Sequence, residues 1–137
     1  MYSKKELIRF RHTDFAGIVF YPRFFEMLND LVEDWFEEEL ERPFSKIHKT
    51  NGVPTVSLQV AFKQAAKIGD RITKMLWVDE IGTASVKLGF RFVAENGQTI
   101  LEGQSTLVNV TLEKNGGNIE SAPFDDEMRE KMQRFFL

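Results

Sequence analysis

Cysteine is absent from this chain of 137 residues, and that one absence removes disulfides, thiolate nucleophiles and Cys-ligated zinc together. Histidine is scarce, with only His12 and His48. No G-x-S-x-G elbow occurs either, so serine and cysteine triads lack their parts. Long apolar runs are also missing. No uninterrupted stretch approaches the ~18 residues of a membrane span, and Met1 to Glu6 carries no apolar core behind its lysines. The expectation is a soluble, unexported, cytoplasmic protein with no membrane partner. An excess of positive charge is lacking too: the formal net charge is −3, which argues against general nucleic-acid binding, because neutralising phosphates requires a basic face.

What is present is apolar and aromatic. Hydrophobic residues make up 42% of the chain and include thirteen Phe. The length suits a single domain over 1–137 that buries roughly two thirds of the surface its unfolded form exposes, without staples. Leu7 to His12 alternates, with Ile8 and Phe10 on one face and Arg9 and Arg11 on the other, and reads as a half-buried strand. Pro22 favours a helix start. From there Phe24, Met27, Leu28, Leu31 and Trp35 form a stripe that Phe25, Val32 and Phe36 widen. The opposite face holds Glu26, Asp30, Glu33, Asp34, Glu37, Glu38, Glu39 and Glu41. With only His48 nearby, beyond Pro43, that run reads as solvated surface and not as a metal site.

Past Arg42-Pro43-Phe44-Ser45 and Asn51-Gly52 the period changes from helical to two. Val56, Leu58, Val60 and Phe62 alternate with polar or small residues; Ile72 to Ile81 follows the Gly69-Asp70 turn; Val86, Leu88, Phe90 and Phe92 share one face. Asn96-Gly97 signals a tight two-residue hairpin turn, a last strand runs from Thr99 to Leu112 toward Asn115-Gly116-Gly117, and Asp125 to Phe136 has the pattern of a terminal helix. The order predicts an α+β fold: one strand, one long helix, then four consecutive strands joined by short turns, an antiparallel sheet wrapped around the helix. The edges of the Ala84 to Leu112 hairpin are lightly protected, so pairing with a second copy is expected.

One carboxylate stands out. In H-T-D-F-A-G-I-V-F-Y-P, Asp14 precedes Tyr21 by seven positions, and Tyr21 immediately precedes the proline that opens the helix. Aspartate ahead of a helix is ordinarily a turn or cap residue, but Asp14 is too far from Pro22 to cap it, and Ala16-Gly17 leaves room for a ligand. A helix N-terminus offers unpaired N–H groups and partial positive charge to an oxygen that becomes negative. Such a donor is commonly worth ~2.7–4 kcal/mol of barrier. A carboxylate on the preceding loop could reach the same carbonyl carbon, directly or through water; together these are the parts of an acyl-transfer site.

The run T-D-F-A-G-I-V-F-Y-P-R-F-F, followed by a long apolar helix and four strands, resembles the hotdog-fold acyl-CoA thioesterases, particularly the 4-hydroxybenzoyl-CoA thioesterase type with its D-x-A-G-I-V-aromatic-Tyr-Pro signature. The resemblance implies that Asp14 is the catalytic nucleophile or general base and that the Tyr21 backbone N–H polarises the thioester carbonyl. It also implies homodimers, often paired into tetramers, whose active sites take residues from both chains, with acyl-CoA as substrate and no cofactor beyond it. The chemistry agrees: the leaving group is a thiolate whose acid has a pKa of about 8.5, so departure needs little protonation.

Other residues are candidates around this centre. His12, two positions from Asp14, would point the same way on an extended strand and could orient the carboxylate or a water; the alternative is a hydrogen-bonded strand-end histidine. Gly17 and Phe20 are substrate-contact candidates, although an aromatic ahead of a helix ordinarily packs into its core. Coenzyme A phosphates call for cations: Lys63 and Lys67 flank the end of one strand, while Lys87 and Arg91 project from one face of another beside Ser85, which resembles the small hydroxyl residue that often starts this strand in the family. Trp35 and Trp77 read as core or interface. Rival readings are a hydratase of the same fold, which would resemble D-x(4)-H but finds Val19 where its histidine belongs, a lone-base isomerase or carrier, and a non-catalytic acyl-CoA binding protein.

Overall fold

The computed structural model describes residues 1–112 and 119–137; the expected turn at Asn115-Gly116-Gly117 lies outside them. The chain runs β1 (Tyr2–Leu7), a 3-10 turn (Phe10–His12), α1 (Pro22–Glu38), α2 (Phe44–Ile47), β2 (Asn51–Gly52), β3 (Thr55–Phe62), β4 (Arg71–Ile81), β5 (Ser85–Ala94), β6 (Thr99–Val108), β7 (Val110–Thr111), β8 (Glu120–Ser121) and α3 (Asp126–Gln133). A five-stranded antiparallel sheet in the order β1-β4-β5-β6-β3 carries the structure, and β2, β7 and β8 form a small second sheet. No helix of the described residues is long and apolar enough to cross a membrane.

The long helix follows its apolar stripe. Phe24, Met27, Leu28, Leu31, Val32, Trp35 and Phe36 are all buried, and they meet Ile72, Leu76 and Val78 from β4 and Val86, Leu88, Phe90 and Phe92 from β5 in one core. Each of those strand sets has period two, so one face of each strand is delivered to the helix. Glu41 lies beyond the helix, in a left-handed conformation (φ 56°) that helps turn the chain away.

Three expectations change. The first strand is Tyr2–Leu7, not Leu7 to His12; Ile8 is buried but Phe10 is 81% exposed, because the chain tightens into the 3-10 turn and the alternation no longer maps onto two faces. The four later strands do not pair in sequence order. β3 crosses to the far edge beside β6, and the connection 63–70 runs over the end of the sheet before β4 begins. The β5–β6 hairpin is therefore internal, and the edges of the sheet are β1 and β3. Third, the Asn96-Gly97 turn is not a two-residue turn: Gly97 N–H donates to Ala94 O (2.9 Å), Ala94 N–H donates to Gln98 O (2.9 Å), and only Gly97 has positive φ, 85°. This is a three-residue loop, Glu95 to Gly97, closed by a glycine bulge.

Candidate active site

The segment around Asp14 is a miniature hairpin. Gly17 N–H donates to Asp14 O and Asp14 N–H to Ile18 O, both at 3.0 Å, while Thr13 and Val19 form an antiparallel bridge. Gly17 sits at φ 79°, the left-handed position that such a bulge needs and that glycine takes without steric cost. The hairpin is tied down from the crossing connection, by Val19 N–H to Ala66 O (2.9 Å) and Ile68 N–H to Gly17 O (3.2 Å). The displaced path of the 63–70 segment is thus what holds the loop.

Asp14 divides its carboxylate. Oδ1 accepts the Ala16 N–H at 2.8 Å, a local turn bond; among the described residues Oδ2 has no hydrogen-bond or ion-pair partner. Beside it opens a depression of about 350 Å³ lined by Phe10, Thr13, Asp14, Phe15, Gly17 and Ile68. Phe15 is fully exposed at the hairpin tip and Ile68 is half exposed. Neither these two nor Phe10 is recognisable from the sequence as site-lining; the available signal is that each is a large apolar residue on a turn or connection with no strand or helix face to bury it.

The helix N-terminus follows directly. Phe20 N–H donates to His12 O (2.9 Å), Tyr21 already has helical dihedrals, and the first turn closes by Arg23 N–H to Phe20 O and Phe24 N–H to Tyr21 O. Among the described residues no acceptor takes the Tyr21 N–H, and Pro22 has none to offer. Phe20 does not pack beneath the helix: it is half exposed and stacks on Tyr21 with ring centroids 5.8 Å apart, and Tyr21 in turn meets Phe62 at 6.2 Å and Phe25 at 6.1 Å.

Asp14, Gly17, Phe20, Tyr21 and Lys63 gather at one end of the sheet, where Lys63 follows Phe62 and donates its N–H to Ile100 O. Lys67 joins them through its bridge to Ile18. Ser85 and Lys87 do not. Ser85 pairs with Val108 at the start of β5, whereas the opposite end of that strand, Ala94, pairs with Ile72 beside the Asp14 end; nine residues of strand, on the order of 30 Å, separate the two sets within one chain. Lys87 is ion-paired with Glu80 at 3.5 Å.

His12 does not sit over Asp14. The 3-10 turn swings it beneath α1, where it is buried and lines a separate pocket with Glu6, Arg11, Arg23, Glu26, Met27 and Asp30. Burial, and then the charge of Arg11, pushes its pKa below the ordinary imidazole value. No three His, Asp or Glu side chains among the described residues converge as a metal-ion cluster.

A sheet curled on one long helix, with a carboxylate hairpin at the helix N-terminus, defines the hotdog class of thioester hydrolases. The thioesterase-like superfamily model matches residues 8–132, and the chain belongs to that family. It is 31% identical over 120 residues to a 1,4-dihydroxy-2-naphthoyl-CoA hydrolase of Prochlorococcus marinus (strain NATL2A), an alignment covering 79% of this chain and 73% of that one. Among solved structures, a gentisyl-coenzyme A thioesterase superposes with a TM-score of 0.82 at 25% identity, covering 93% of this chain and 99% of the other. An aspartate-to-asparagine mutant of 4-hydroxybenzoyl-CoA thioesterase, complexed with 4-hydroxybenzoyl-CoA, superposes at 0.84 with 19% identity, covering 96% and 97%. The protein is an acyl-CoA thioesterase.

Proposed function

We propose that this thioesterase hydrolyses an aromatic acyl-CoA, with Asp14 as nucleophile or general base and the Tyr21 N–H as the donor to the carbonyl oxygen. One observation carries the reading: a carboxylate fixed through a single oxygen, its other oxygen unclaimed, on a hairpin that leads straight into a helix whose first N–H is also unclaimed. Net, water adds to the thioester carbonyl carbon, the C–S bond breaks, and free acid and CoA thiol are released. Asp14 either takes the proton from that water or attacks the carbon itself to give an anhydride that water then opens. Both routes use the ionised carboxylate, and neither needs a metal or redox cofactor. The aromatic acyl group is supported by the three relatives, whose named substrates are all aryl-CoA thioesters, and by the exposed rings of Phe10 and Phe15 that line the depression beside Asp14.

The working unit in this reading is a homodimer, alone or paired into a tetramer. β3 is an uncovered edge strand of eight residues without a charge or proline, and Val56, Leu58 and Phe62 are all exposed on it, whereas the opposite edge, β1, carries Lys4, Lys5 and Glu6. Charges blunt an edge and their lack invites pairing. Antiparallel pairing of two β3 strands would set the Phe62 end of one chain beside the Thr55 end of the other. Thr55 pairs with Leu107 in the register that also holds Ser85 near Val108, so Ser85 of the partner subunit would approach the Asp14 end, as a shared site requires.

A thiol-release assay with 4-hydroxybenzoyl-CoA, benzoyl-CoA and short- and medium-chain acyl-CoAs tests the reading. Asp14→Asn should lose about 10²–10⁴-fold in kcat while staying folded and still binding substrate. Wild-type turnover in that variant, or hydrolysis confined to aliphatic chains, would overturn the assignment it concerns.

A further inference from the structure

His12 is the buried titratable group nearest the candidate site in sequence, and the proposed chemistry does not use it. Its backbone and side chain are engaged on three sides. Its N–H donates to Arg9 O (2.9 Å), its ring Nδ1 accepts the Arg9 N–H (2.8 Å), and its carbonyl accepts the Phe20 N–H (2.9 Å). The first two bonds close the 3-10 turn that enters the Asp14 hairpin. The third joins the two ends of that hairpin immediately before Tyr21. A backbone N–H can only donate, so Nδ1 is the bare nitrogen and the ring proton sits on Nε2.

We infer that His12 is a positioning residue for hydrolysis: its neutral, Nε2-protonated ring latches the 3-10 turn through the Arg9 N–H and so holds the Asp14 carboxylate in register with the Tyr21 N–H. The inference rests on the proposed roles of those two groups. Protonating the ring turns Nδ1 into a donor facing a donor, which breaks the latch. The surroundings set the direction of the response. Arg9 and Arg11 lie on its own turn, Arg23, Glu26 and Asp30 face it from α1, Glu6 faces it from β1, and Lys74 of β4 stands 3.7 Å from Glu6. Arg23 is itself ion-paired to Glu26 at 2.6 Å. Burial and the arginines outweigh Glu6 and lower the folded pKa. The latch is therefore intact above the ordinary imidazole range, about 6.5, and is lost as pH falls through the lowered folded value.

Two substitutions separate this role from simple packing. Asparagine places an acceptor near the position of Nδ1 but does not titrate in this range, whereas leucine fills the space without an acceptor. The expected result is that His12→Leu loses at least tenfold in kcat at every pH. His12→Asn should retain most of kcat at pH 8, with the acid limb of its kcat profile displaced to lower pH than in the wild type. Asp14→Asn, assayed alongside, reports on the underlying site: if it keeps its activity, the proposed chemistry fails, and if it does not, the His12 variants judge the latch alone. Equal acid limbs in wild type and His12→Asn would overturn the inference, as would wild-type kcat in His12→Leu. Independently of folding in any variant, 15N NMR of the wild-type imidazoles, with His48→Gln to assign them, should show the Nε2–H tautomer for His12. An Nδ1–H tautomer would refute the latch.

Discussion

Asp14 and Gly17 perform separable tasks within four residues. The glycine supplies the left-handed turn, and an ideal Cβ built on it meets nothing within 4 Å, so Gly17→Ala is penalised by backbone conformation alone. We expect a loss of about 1–2 kcal/mol, read as a lower urea midpoint, with a larger proportional loss of kcat than of stability because the strain falls on the carboxylate. Asp14→Asn, in contrast, keeps an oxygen for the Ala16 N–H and should unfold at the wild-type midpoint in the same titration. At this scale the sequence is informative where the motif is local. Asp14, Gly17 and Tyr21 interact with neighbours a few positions away, and their spacing alone places them together. His12 is misread as a strand residue beside Asp14 because its surroundings are set by Arg23, Glu26 and Asp30 of α1, which no local pattern reports.

Among the elements, α1 follows from its stripe and β5 from its alternation, since in both the buried face is written into one continuous segment. β1 does not. Its six residues, Tyr-Ser-Lys-Lys-Glu-Leu, look polar, yet Tyr2 is buried, with its hydroxyl hydrogen-bonded to Glu38, and Lys4 pairs with the same carboxylate. That strand is held by antiparallel pairing with β4 along its whole length and by Glu38 at the end of α1, contacts that no local pattern reports. The terminal helix spans Asp126–Gln133: Asp125 caps its start, the carboxylate accepting the Met128 N–H at 2.8 Å and pairing with Arg42 at 2.9 Å, and it stops short of Phe136 because Phe135 O accepts the Val78 N–H at 2.9 Å and Phe136 bridges to Val78 of β4. Removing the cap by Asp125→Ala should cost about 0.5–2 kcal/mol at neutral pH. The hydrogen bond from Arg42, then that from Met128, holds the Asp125 carboxyl below its ordinary value. Its stabilisation is thus complete above the unfolded carboxylate pKa, about 3.9, and is lost as pH falls through the folded one. Calorimetry of the two proteins should show the gap in Tm narrowing below about pH 4.

At the scale of the molecule, strand order is what the sequence leaves unsaid. Period-two segments announce strands without naming neighbours, and β3 reaches β6 only because the 63–70 connection crosses the end of the sheet. That crossing decides which edge is open and, with it, how copies would associate. Leu58→Glu places a charge at the centre of β3, on a residue already 41% exposed, so it should leave the monomer folded. Light scattering should report a dimer or tetramer for the wild type and a monomer for the variant, and the monomer should have lost thioester hydrolysis if each site draws on both chains. A monomeric variant with full turnover would confine the site to one protomer.

The bulged turn that carries Asp14 occurs twice in this chain. Between β5 and β6, Ala94 stands where Asp14 stands, with the same pair of backbone bonds and the same left-handed glycine three residues on. The chain thus contains its own control: the bend forms with a methyl group at that position, so a carboxylate is not required to make it. If Asp14 acts as proposed, shape and reactivity are separable at position 14 by one substitution. A descendant carrying alanine there would then keep its contour while losing its acid, and a form that retains ligand without hydrolysing it would lie a single codon change away.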